Sequence, residues 1–201
     1  MIGKKKPVNK EADLRLEQKN LLTENSNFFI REAYKTLRTN VSFALTEAEG
    51  CKVIVVTSSM QGEGKSSTAT NLAISYAMAD SNVLIIDCDL RRPKLSRLLQ
   101  LNAKAGLSNL LLKPELLPEV ILSGPVEGLD VILAGDVPPN PSELLGSSRI
   151  PYYFLPGTKL WQRHYCDPLP GRQSSDQRCP QAFGETLCND AGRPRGSESC
   201  C

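Results

Sequence analysis

The sequence has no apolar run approaching the ~20 residues that a membrane-spanning helix needs. Lys4-Lys5-Lys6 is basic, but no apolar core follows it, so it is not a secretory signal. It reads as part of a solvated N-terminus, with contact to anionic lipid as the alternative. A strong charge of either sign is also missing. The net charge is +2, which removes any global electrostatic case for a nucleic-acid partner. No cysteine pair is spaced C-x-x-C, so a zinc site is not signalled. His164 is the one histidine, and a lone His among loop residues reads as solvated. Val is absent after Arg149 and Leu is thin there, while Pro, Arg, Gly and Cys are frequent. Such a stretch cannot bury enough apolar surface to offset its ordering entropy.

What is present centres on Val53 to Thr68, VIVVTSSMQGEGKSST. Val53-Ile54-Val55-Val56 predicts a strand buried on both faces, as in a parallel sheet. A small, polar turn follows, and Gly64-Lys65-Ser66 opens a helical pattern through about residue 79. Strand, glycine-bearing loop and helix in that order are what a phosphate-binding loop requires. Gly62 and Gly64 allow the backbone to wrap an anion, and the helix start aims amide N–H groups and a dipole at it. Lys65 can reach outer phosphates, and the Ser66 hydroxyl can hold Mg²⁺. Ser59, Gln61, Gly62, Glu63, Gly64, Lys65, Ser66 and Ser67 are the candidate nucleotide-binding residues. One position departs from G-x-x-x-x-G-K-[ST]: Ser59 stands where the pattern has Gly.

Val83-Leu84-Ile85-Ile86 predicts a second buried strand about thirty residues after the first, as in a βαβ unit. It runs into Asp87-Cys88-Asp89-Leu90-Arg91-Arg92-Pro93. Residues two apart in an extended chain face one side, so Asp87 and Asp89 are expected to present two carboxylates together. In open α/β sheets that strand end is where ligands sit. The pair would hold Mg²⁺ directly or through water, either Asp could take a proton from an attacking hydroxyl, and Arg91 could neutralise phosphate charge.

Around this unit, residues 1–26 are expected to form a loose arm. Ile30, Tyr34, Leu37, Val41 and Ala44-Leu45 mark one face of an amphipathic helix. Glu32, Lys35 and Arg38 mark another face, read either as a solvated ion-paired stripe or as a subunit contact. Pro93 suits a helix start, and short helices are expected at 106–111 and 115–122. Leu129 to Leu133 predicts a third strand, and Ser142 a cap for a helix through about 148. Cys51 and Cys88 read as small core hydrophobes beside strands. The cysteines at 166, 179, 188, 200 and 201 would form disulfides only in an oxidising compartment, which does not suit a cytosolic nucleotide fold.

Four stretches together resemble the bacterial tyrosine kinases of capsule and exopolysaccharide systems: SSMQGEGKSST, LIIDCDLRRP, REAYKTLRTN and LAGDVPPNPSELL. The resemblance covers about 28 to 149 and is to the soluble type that works beside a separate membrane protein. It implies an α/β, P-loop NTPase-like, mostly parallel sheet flanked by helices, incomplete at its C-terminus. It implies ATP and Mg²⁺ as ligands and phosphorylation of protein tyrosines, largely on neighbouring subunits' tails. It implies a cytoplasmic position at the inner face of the membrane, through a membrane-embedded polysaccharide co-polymerase. By family likeness Lys65 binds phosphates, Ser66 and Asp89 hold Mg²⁺, and Asp87 is the base. Glu32 and Arg38 match the ring-forming E-x-x-R-x-x-R helix, with Lys35 in place of its middle Arg, a substitution that loses the bidentate fork.

Two features implied by the family are absent: an Asp-Thr-Pro-Pro-like strand end after the helix at 142–148, and a Tyr-rich tail. Residues 150–201 therefore read as a disordered, out-of-frame tail on a partial kinase domain spanning 27–149. Partitioning-type ATPases share the expected fold and are the rival reading. Their early signature lysine falls at Met60 here, which argues against a switch. A non-catalytic nucleotide-binding fragment is the other alternative.

Overall fold

In a computed structural model the structure describes residues 10–46, 52–150 and 181–184. The order is α1 (Lys10–Lys19), α2 (Phe28–Ala44), β1 (Val53–Val55), α3 (Lys65–Ala77), β2 (Val83–Ile86), α4 (Leu95–Leu98), α5 (Leu107–Leu112) and a 3₁₀ turn (Pro114–Leu116). There follow α6 (Leu117–Val120), β3 (Ile121–Ser123), β4 (Leu129–Ile132), α7 (Pro141–Leu145) and β5 (Gln181–Gly184). The sheet runs β1-β5-β2-β4-β3. Its pairs are parallel except β3 with β4, which are antiparallel. The mostly parallel α/β sheet expected from the sequence is thus present.

β2 shows why the sheet has two covered faces. All four of its residues are buried, as the unbroken apolar run predicts. Val83 and Ile85 join Leu72, Ile74, Leu95, Leu98 and Val131 in one core. Leu84 and Ile86 join Leu107, Leu110, Val120 and Ile132 in the other. Helix α3 supplies much of the first core, and even its polar residues Ser66, Thr70, Asn71 and Ser75 are buried.

Several elements differ from the sequence expectation. β1 is shorter than 52–57 and is not buried on both faces, because it lies at the sheet edge; Val55 is exposed. The segment 115–122 ends its helix at Val120, and Ile121–Ser123 pairs with β4 instead. Helix α7 ends at Leu145, and Asn140, not Ser142, stands at its N-cap position.

Part of the expected loose arm is docked. α1 packs on α4, and Leu22 is buried. The main chain at 20–22 closes on the Asn71 amide: Leu22 N donates to Asn71 Oδ1 at 2.7 Å, and Asn71 Nδ2 donates to the Asn20 carbonyl at 3.0 Å. Four residues of the stretch expected to lack structure form β5, between β1 and β2. The tail's cysteines and Cys51 lie outside the described residues. Among the described residues, no helix is long and apolar enough to cross a membrane.

Candidate phosphate-binding site

The loop from β1 to α3 turns on two glycines. Gly62 and Gly64 both have φ of +87°, a conformation that costs an L side chain roughly 1–2 kcal/mol. A Cβ at either would meet nothing within 4 Å, so conformation and not crowding demands glycine. Gly64 is the N-cap of α3 and has no side chain to occupy the first helical amides. A thirteen-residue helix therefore starts with donors and the positive dipole end directed at the loop. The loop also braces itself. Met60 N donates to Glu63 Oε2 at 3.0 Å, and Ser58 Oγ donates to the Met60 carbonyl at 2.9 Å. Glu63 thus shapes the loop through its carboxylate.

The acidic strand end meets this loop at Asp89. Lys65 Nζ lies 3.9 Å from Asp89 Oδ2, and both side chains keep partial solvent access. Ser66, next to Lys65, is buried. Asp87 is fully buried. Its Oδ1 accepts from Asp89 N at 3.2 Å, and its Oδ2 accepts from Lys94 N and Leu95 N, each at 3.1 Å. It therefore ties down the start of α4. β2 ends at Ile86, so strand alternation does not set how Asp87 and Asp89 lie. The two carboxylates take different partners, Asp87 at the start of α4 and Asp89 at Arg92 N and Lys65.

The two arginines also part. Arg91, expected at the phosphates, donates to Ser142 Oγ in α7 at 3.1 Å. Arg92 donates through Nη1 to the side-chain oxygen of Gln61, within the loop. Arg92 N donates to Asp89 Oδ1 at 3.0 Å. Sequence reasoning missed Arg92: adjacent arginines offer no signal as to which one turns toward the loop.

The α2 stripe divides in the same way. Lys35 and Glu32 form an exposed pair at 3.4 Å. Arg38 instead donates to the Ser75 carbonyl, and Tyr76 Oη donates to the Arg38 carbonyl at 3.1 Å. Arg38 is thereby used in fastening α2 to α3 within the subunit.

Among the described residues, no group of three or more His, Cys, Asp or Glu forms a metal cage. Mg²⁺ does not require one, since it keeps waters and takes one or two protein oxygens plus phosphate. Open glycine backbone, free helix amides, Lys65, Ser66 and Asp89 fit a metal–nucleotide of that kind.

A family model of the ParA type, described as NUBPL iron-transfer P-loop NTPase, matches residues 50–126. The tyrosine-protein kinase YwqD of Bacillus subtilis is 41% identical over 116 residues, 58% of this chain and 48% of that protein. A putative tyrosine-protein kinase, CapB of Staphylococcus aureus, is 38% identical over 125 residues, 62% of this chain and 54% of that one. The chain thus spans about half the length of these relatives. The solved kinase domain of the Escherichia coli tyrosine kinase Etk superposes with a TM-score of 0.62 and 32% identity, covering 78% of this chain and 55% of that domain. The chain is thus similar in sequence to bacterial tyrosine-protein kinases over part of their length, and in fold to the P-loop domain of one of them.

Proposed function

We propose that this site binds Mg-ATP and transfers its terminal phosphoryl group to protein tyrosines, on neighbouring copies among others, in a capsule or exopolysaccharide assembly system. The observation that carries this reading is Lys65 at a free helix N-terminus with Asp89 3.9 Å away. The backbone amides at Gly64 to Ser66 and the Lys65 ammonium bind and orient the phosphates. Ser66 and Asp89 would hold Mg²⁺, which supplies charge neutralisation between phosphate oxygens. Asp87 would be the base that the family resemblance implies, and Asp89, beside Lys65, is the other carboxylate available for the phenol's proton. The tyrosine oxygen forms the new P–O bond as the bond to the ADP oxygen breaks, and its proton passes to a carboxylate or to water.

The membrane-embedded polysaccharide co-polymerase partner, the position at the membrane's inner face, and self-association through the Glu32 face of α2 belong to the same proposal. For that contact the exposed Glu32–Lys35 pair is available, whereas Arg38 would have to leave Ser75. The purified chain with Mg²⁺ and γ-labelled ATP tests the proposal. Label on tyrosine that Lys65→Met lowers by about 100-fold or more supports it. Equal labelling in both proteins contradicts the assigned site.

A nucleotide-driven switch is the second reading, favoured by the ParA-type match over 50–126. Free phosphate release with no phosphotyrosine in the same assay would support it.

A further inference from the structure

We propose that Arg92 is a positioning residue, and that its bond to Gln61 holds the phosphate loop against the acidic strand end. This rests on the reading of the loop as a nucleotide site and identifies what fixes its shape. The contacts close a circuit. Gln61 accepts from the Arg92 guanidinium. The Arg92 amide donates to Asp89 Oδ1. Asp89 Oδ2 faces Lys65. Lys65 returns to Gln61 through the loop's own backbone. One residue thus grips the loop with its side chain and orients the metal-side carboxylate with its main chain.

The loop needs such a brace. It has no regular structure between β1 and α3, and its two positive-φ glycines carry a large ordering entropy. A loop already held in its bound shape does not spend binding energy on ordering. Gln61 suits the task because its amide oxygen accepts from a cation without adding negative charge beside the phosphates. The Arg92 guanidinium adds positive potential there. Arg91 does not substitute, because it is bound to Ser142 across the strand end.

The test is a double-substitution cycle on the full chain, with a fluorescent ADP analogue and Mg²⁺ as the probe. Arg92→Ala and Gln61→Ala are each expected to weaken binding about tenfold, the scale of a lost charge-assisted hydrogen bond. The double variant is expected to bind no worse than the weaker single, since both remove one contact. Arg92→Lys, which can still donate to Gln61, is expected to restore most of the affinity. Both side chains are exposed, so unfolding midpoints are expected to stay at the wild-type value. Unchanged binding in Arg92→Ala, or losses that multiply in the double variant, would overturn the brace while leaving the nucleotide site intact. Wild-type protein that fails to bind the probe would overturn the site and the brace together.

Discussion

Asp87 exposes no surface, and its two oxygens hold three amides, two of them at the start of α4. Removing that carboxylate leaves buried donors without partners. Asp87→Ala is therefore expected to destabilise the fold by about 2–4 kcal/mol, measured as a fall in the urea midpoint. Asp89 is half-open to solvent and caps no helix. Asp89→Asn is expected to leave the urea midpoint within about 0.5 kcal/mol of wild type and to act on metal-dependent binding instead. The shape of the loop was legible in the sequence because it is local: Gly62 and Gly64 set its turns, and α3 starts at Lys65. The hydrogen-bond partners of Asp87, Asp89, Arg91 and Arg92 were not, because they depend on where β2 stops and on what α4, α7 and Gln61 offer nearby.

Helix α2 contributes no fully buried residue, yet it is fastened to α3. Tyr76 Oη lies 2.9 Å from Ser42 Oγ and donates to the Arg38 carbonyl, while Tyr34 and Val41 pack on the core. Tyr76→Phe is expected to cost about 1 kcal/mol in chemical denaturation. The segment after α1 is anchored by Leu22 and Asn71. Leu22→Ala is expected to cost about 2–3 kcal/mol and to speed proteolytic cleavage near 20–27. Long periodic elements such as α2 and α3 were readable from spacing alone. The three-residue β3 was not: Ile121–Ser123 is too short to show a period, and its pairing with β4 decides its conformation. The docking of α1 was equally hidden, since its composition is polar and the contacts that hold it lie far along the chain.

Across the whole molecule the sheet depends on β5. It is hydrogen-bonded to β1 on one side and β2 on the other, so it joins the strand before the phosphate loop to the strand before Asp87. A proline there removes a ladder donor from an interior strand. Ala182→Pro is expected to cost about 3 kcal/mol or more and to expose strand edges that promote aggregation, followed by light scattering. Composition after Arg149 shows no strand signal, which is why this position could not be foreseen.

The central claim is that Lys65 and Asp89 face one another across a site for a metal-bound nucleotide. Equilibrium titration of ATP into wild-type and Asp89→Asn protein, with and without Mg²⁺, tests it most directly. The predicted result is a wild-type affinity that rises with Mg²⁺, and a rise that is largely lost in Asp89→Asn. An equal gain from Mg²⁺ in both proteins would contradict it.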